Sequence, residues 1–275
     1  MKKNFIFTTL IFIVSGATIA FAYRGAIQEA WYEWQKPDLP EGQTYESFES
    51  APEEQAETPS PEEPVQNIPQ ESAPEQTPQE NNPPSATLPA QINLAVPFTT
   101  QAPFGNWGLP YQEACEETSL LMVARYKNGK AITGPEDASQ AILALVDFEN
   151  TIFGYYKDTT AEETARIARE FYGFTDTEVQ YEFTVDDIKR ELVRGNPIII
   201  PVAGRELGNP YFQPPGPIYH MLVIRGYTAT HFITNDPGTR RGEEFLYTHA
   251  VVMNAIHDWN NGDVDAGQKV IIVIK

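Results

Sequence analysis

Residues 219–236 read YHMLVIRGYTATHFITND. Two runs rich in β-branched and aromatic residues flank Thr228-Ala229-Thr230, the pattern of an antiparallel hairpin with strands over 220–227 and 231–235. With the turn centred near Thr228, His220 falls opposite Asp236, Leu222 opposite Thr234 and Ile224 opposite Phe232. Directly opposed residues share a face, with Cβ atoms about 5 Å apart. Asp236 is then placed to accept a hydrogen bond from one imidazole nitrogen, which fixes the tautomer and leaves the other nitrogen for a second partner. A half-residue shift of the centre pairs His220 with Asn235 instead, so Asn235 is the alternative orienter. Asn235-Asp236-Pro237-Gly238 also has the composition of a plain turn.

Working outward, Pro197-Ile-Ile-Ile-Pro-Val202 precedes this hairpin, and strand-like runs over 244–246 and 269–274 follow it. Upstream the period changes to helical over 112–128, 134–148, 159–173 and 184–195, and a late helix is expected over 248–259. Helices first and strands afterwards make an α+β domain over about 92–275, with N-terminal helices packed on a mainly antiparallel sheet.

Cys115, the chain's single cysteine, lies at the start of the first of these helices, in Tyr111-Gln-Glu-Ala-Cys-Glu-Glu-Thr-Ser119. The partial positive charge of a helix N-terminus stabilises a thiolate. Glu113, Glu116 and Glu117 oppose that effect if they point toward the sulfur, and the thiolate then depends on an imidazolium. The bland alternative is an inert cysteine packed as a small hydrophobe. Thiol, imidazole and carboxylate together form the nucleophile, base and orienter of covalent catalysis.

In that order, Cys115, His220 and Asp236 resemble the papain-like cysteine peptidases, and more closely the C39-like peptidase domain, related to the peptidases that process bacteriocin leaders. The pieces carrying the resemblance are Val96-Pro-Phe-Thr-Thr-Gln101, Cys115 with Thr118-Ser119-Leu120 and Met122, His220-Met-Leu-Val-Ile-Arg-Gly226-Tyr227, and Asn235-Asp236-Pro237. It implies a papain-like fold, with Cys115 as nucleophile, His220 as general base and Asp236 as its orienter. It also implies a glutamine that donates to the oxyanion, for which Gln101 and Gln112 are the candidates. One departure is Cys115-Glu116-Glu117, where the family often has Cys-Gly-Pro. No ATP-binding cassette accompanies the domain, so coupled export of a bacteriocin is not supported.

Other candidates are weaker. His231 reads as structural, and His249 and His257 are spaced poorly for a shared metal. One cysteine permits neither an intramolecular disulfide nor a cysteine-rich metal site. No metal and no other cofactor is expected. Ser119 lacks the Gly-x-Ser-x-Gly context of an activated serine. The aromatics of Gly208-Asn-Pro-Tyr-Phe-Gln-Pro-Pro-Gly-Pro217, like Trp107, suit either a substrate wall or a rigid surface turn.

The N-terminus has a different character. Lys2 and Lys3 precede an uncharged, mostly apolar run from Asn4 to Tyr23, just long enough to span a bilayer. Residues 1–24 are therefore expected to be a membrane anchor with the rest of the chain outside the cytoplasm. Ala20-Phe21-Ala22 also fits a signal-peptide cleavage site, which gives a secreted protein in the same compartment. Residues 37–90 carry twelve acids, twelve of the chain's 23 prolines and no lysine or arginine. Such a segment is expected to be a disordered linker, roughly 40 Å across as a coil.

The 275 residues include 38 acidic and 19 basic side chains, a net charge of −19, most of it in that linker. The balance argues against binding nucleic acid, which needs clustered cations. The expected function is an extracytoplasmic, membrane-tethered cysteine peptidase acting on a peptide or protein through a thioester acyl-enzyme. The alternatives are a silent peptide- or cell-wall-binding module of the same fold, and an acyltransferase or transpeptidase using the same residues.

Overall fold

The computed structural model describes residues 30, 32–34, 36–49 and 88–275. It divides into units 1–39 and 40–275, and all that follows concerns the second. Among the described residues no helix is long and apolar enough to cross a membrane. The anchor expected over 1–24 lies outside them, as does most of the linker expected over 37–90.

Among the described residues of the domain, a single helical turn at Glu46–Glu49 is followed by five longer α-helices and seven strands: β1 Ile92–Asn93, α1 Cys115–Lys127, α2 Pro135–Ile152, α3 Ala161–Glu170, β2 Thr177–Gln180, α4 Val185–Val193, β3 Ile198–Ala203, β4 Tyr219–Tyr227, β5 His231–Asn235, β6 Phe245–Thr248, α5 His249–Ala255 and β7 Ile271–Ile274. The strands form one sheet in the order β2-β7-β3-β4-β5-β6, with β1 added beside β4, and every pair is antiparallel. The expected α+β arrangement is therefore present. The strand β2 was not anticipated: Thr-Glu-Val-Gln is short, polar and an edge strand, so its period is too faint to read.

The helices α3 and α4 begin with capping boxes, Thr160 with Glu163 and Thr184 with Asp187. Helix α1 has no side-chain cap, and all its residues except Arg125 are buried. A helix buried on every side in this way sits centrally rather than on the surface. It is tied to the sheet where the Ser119 hydroxyl donates to the Met221 carbonyl at 3.1 Å. Cys115 and His220 are thereby brought to adjoining elements.

The hairpin register differs from the symmetric expectation. The pairs are Val223 with Asn235, Ile224 with Thr234, Gly226 with Ile233 and Tyr227 with Phe232, with a bulge between Ile224 and Gly226. Ile224 thus faces Thr234 rather than Phe232, a slip of two residues. A two-residue slip keeps each side chain on its face, whereas one residue would reverse it. The bulge at Arg225 supplies the extra residue that makes the slip even. Arg225 is held there by Nε donation to the Asn93 side chain at 2.9 Å and to the Leu94 carbonyl at 2.8 Å. Beside it a Cβ on Gly226 would lie 2.3 Å from the Ile92 carbonyl oxygen, so β1 requires glycine at that position.

The domain also begins earlier than residue 92. Gln43 forms a parallel bridge with Leu94, donating to the Asn93 carbonyl at 2.8 Å and accepting from the Ala95 N–H at 2.7 Å. Tyr45 stacks edge-on to Tyr126, with ring centroids 5.8 Å apart, and the Lys127 ammonium lies 4.0 Å from its ring centroid. Phe48 covers Gly195, where an added Cβ would meet its ring at 2.7 Å. Residues 40–49 are thus a strap on the domain, a correction to the linker boundary. The averaged composition of 37–90 concealed two aromatic anchors at its start. A chain starting at residue 88 is expected to melt roughly 5 °C lower than one starting at 40, for the loss of two half-buried aromatics. Equal melting temperatures by calorimetry would show the strap to be idle.

Candidate active site

A cavity of about 860 Å³ opens where the N-terminus of α1 meets β4 and the loop after β5. Cys115, Glu116 and His220 line it, with Tyr211, Phe212 and Trp259 among its walls. Trp107 lines it as well, so both segments with open roles in the sequence supply wall residues. His231, His249 and His257 do not line it.

His220 is buried on β4, and its Nε2 lies 2.8 Å from Asp236 Oδ1. That leaves Nδ1 as the ring nitrogen without a carboxylate. Phe212 sits edge-on to the imidazole with centroids 5.4 Å apart. A Cβ at Gly238 would come within 2.9 Å of His220 Cε1, so the loop following Asp236 must be stripped of side chain there.

Asp236, fully buried, accepts three further hydrogen bonds: from Gly238 N at 2.9 Å, Tyr247 Oη at 2.6 Å and Asn209 Nδ2 at 3.1 Å. Burial pushes its carboxyl up, but the charge and hydrogen bond of His220, with those of Tyr247 and Gly238, outweigh this and hold it below the ordinary carboxylate range. Asn209 and Tyr247 escaped the sequence reading. Asn209 stands ahead of Pro210 and Tyr247 just after the strand expected over 244–246, with no local signal tying either to Asp236.

Asn235, the alternative orienter, is not brought to His220. Its amide donates to the Val96 carbonyl at 3.0 Å and accepts from Arg225 at 3.3 Å, on the opposite side of the strand from Asp236. The two glutamines separate as well. Gln101 is buried, and its Nε2 donates to the Tyr111 carbonyl at 3.0 Å and the Gln112 carbonyl at 2.9 Å. Both amide hydrogens are thus committed to the 3-10 turn Tyr111–Glu113 that leads into α1. Gln101 acts as a clamp on that turn, and its Oε1 is buried without a partner. Gln112 is exposed at the cavity edge.

Cys115 is the first residue of α1 and is buried. Its Sγ lies 3.1 Å from Glu116 Oε2, and no hydrogen bond joins it to His220 across the cavity. Burial first, then the adjoining Glu116 carboxyl that accepts from the sulfur, push the thiol up, with Glu117 adding to the effect against a backbone hydrogen bond from Met221. Of the opposing influences visible in the sequence, the glutamates prevail in the resting structure, because Glu116 does point at the sulfur.

Three carboxyl groups are buried behind the cysteine: Glu116 and Glu117 on α1, and Glu149 on α2. Neither Glu117 nor Glu149 has a hydrogen-bond partner among the other described residues, and the two buried carboxyls disfavour each other's ionisation. Burial raises both, and Glu149 is pushed up to about 8. A carboxyl raised in the folded state favours folding at low pH, so this contribution is complete below the unfolded carboxyl range and is lost as pH rises toward 8. Thermal melts are expected to fall between pH 5 and pH 9 by the equivalent of a few kcal/mol, and Glu149→Gln is expected to flatten that slope. A parent melting temperature constant over that range would contradict the raised Glu149 carboxyl.

The sequence matches the model of the Peptidase_C39 like family over residues 93–261. Among solved structures, it is similar to the crystal structure of a Bacillus anthracis protein assigned as a C39-like peptidase. The two are 18% identical, the alignment covers 67% of this chain and 98% of that one, and the TM-score is 0.46. No curated protein matches the chain.

Proposed function

The chain belongs to the Peptidase_C39 like family, and from that premise we propose that it is a cysteine peptidase using Cys115, His220 and Asp236. The observation carrying this reading is the buried His220–Asp236 hydrogen bond at 2.8 Å, in the wall of the cavity that also holds Cys115.

Cys115 Sγ turns from Glu116 toward His220 Nδ1 as substrate enters, and the imidazole takes the thiol proton while sulfur attacks the carbonyl carbon. Asp236, kept ionised by its four hydrogen bonds, stabilises the imidazolium and fixes Nε2 as its donor. The imidazolium then gives its proton to the departing amine, leaving a thioester on Cys115. Water, deprotonated by His220, releases the acid and restores the thiol. The aromatic walls, Tyr211, Phe212 and Trp259, suit an extended peptide with apolar side chains.

The test is incubation of the domain with a peptide mixture, read by mass spectrometry for cleaved products and for an acyl adduct on Cys115. Added amine separates hydrolysis from acyl transfer, since a transferase yields the amide product. A binding module is the second reading, favoured by the thiol's hydrogen bond to Glu116 in place of His220. Intact peptides, with none bound covalently, select it.

The proposal includes a membrane tether outside the cytoplasm, through residues 1–24.

A further inference from the structure

Glu116 is the residue that the mechanism above leaves unexplained. It is almost wholly buried, it lines the cavity, and its carboxyl oxygen is 3.1 Å from the sulfur. The groups facing it are Cys115 and Glu117 on α1, Glu149 on α2, Asp158 in the loop after α2, and Tyr219 on β4. None is a cation, and no lysine, arginine or histidine among the described residues hydrogen-bonds or ion-pairs with Glu116. A buried carboxyl surrounded by acids and phenols keeps its proton. Burial and Glu117 accordingly hold Glu116 well above the ordinary carboxyl range.

A second observation concerns the oxyanion. Attack by sulfur places negative charge on a carbonyl oxygen close to Sγ, and donors must already surround that point. Gln101 has given both amide hydrogens to the turn before α1. The backbone N–H of Cys115, in the uncapped first turn of α1, is one donor to hand. The carboxyl touching the sulfur is placed to be the other.

We propose that Glu116 is a catalytic residue that works as an uncharged carboxylic acid, donating a hydrogen bond to the carbonyl oxygen as it becomes an oxyanion, in the place expected for a glutamine amide. The assignment rests on the cysteine-peptidase reading. The proton ledger closes without Glu116 losing its own. The thiol proton passes to His220, the S–C bond forms, and the carbonyl oxygen takes the negative charge under the Glu116 O–H and the Cys115 N–H. The C–N bond then breaks as the amine takes the proton from His220. An ionised Glu116 would repel the same oxyanion, so turnover falls as pH rises and strips that proton.

The experiment measures kcat and KM against pH for the parent chain, Glu116→Gln and Glu116→Ala, with iodoacetamide alkylation of Cys115 in each. The amide is a neutral donor of similar shape, so Glu116→Gln is expected to keep most of the parent's kcat and to lose the alkaline limb. Glu116→Ala is expected to lose about 100-fold or more in kcat with KM little changed. Parent-like alkylation profiles at neutral pH in Glu116→Gln confirm that no carboxylate charge sits at the sulfur. A Gln variant as damaged as Ala, a Gln thiol that reacts at markedly lower pH than the parent's, or an Ala variant with full kcat each overturns the assignment. Absence of cleavage by the parent itself breaks the peptidase reading instead, and alkylation still reports the charge on Glu116.

Discussion

Replacing Cys115 with alanine is expected to abolish peptide hydrolysis and all iodoacetamide labelling, while the domain stays folded. The labelling result is unambiguous because the chain has no other cysteine. The thiol sits at the first position of a helix that is buried almost throughout, so alanine fits the backbone there with good helix propensity. The lost sulfur contacts amount to about 1 kcal/mol, partly offset by freeing Glu116 from the thiol, and the melting temperature should move by only a few degrees. Chemistry and stability therefore separate in this variant. Undiminished cleavage by Cys115→Ala would end the cysteine-peptidase proposal outright.

Asp236→Ala is expected to do the opposite, damaging stability and chemistry together. The carboxylate accepts four hydrogen bonds in a site closed to water, from His220, Gly238, Tyr247 and Asn209. Removing it leaves four donors stranded, a loss of about 3–5 kcal/mol, or roughly 10 °C in melting temperature. The imidazole loses its tautomer lock at the same time, and kcat falls by a factor of at least about 100. Tyr247→Phe removes one of the four bonds without changing shape and serves if the alanine variant does not fold. An Asp236→Ala chain that melts and turns over like the parent would remove the orienter from the scheme. Because Asp236 is held below the ordinary carboxylate range, its stabilisation is complete above that range and fades only as pH falls below it. The Glu117–Glu149 pair weakens the fold from the alkaline side, so maximum stability belongs at mildly acidic pH.

His220 and Asp236 could be paired from residue order alone, yet the register that pairs them differs from the symmetric one. Face parity survives because the slip is even, and that depends on a bulge at Arg225 held by β1. Gln101 illustrates the reverse case. The family resemblance made it, with Gln112, a candidate oxyanion donor, whereas folding gives its amide hydrogens to the turn before α1. The strap at 40–49 was hidden because an acidic, proline-rich average masks single aromatic contacts such as Tyr45 with Tyr126.

Period, punctuation and residue type are local properties, so the chain's own order sufficed for the helices, most of the strands, and the thiol, imidazole and carboxylate worth watching. Long-range packing decides what those groups experience. Whether Glu116 faces the sulfur or solvent changes the thiol's proton affinity in opposite directions, and nothing within a few residues of Cys115 selects between them. The choice is made when α1 is buried against α2 and β4, which removes water from Glu116, Glu117 and Glu149 together.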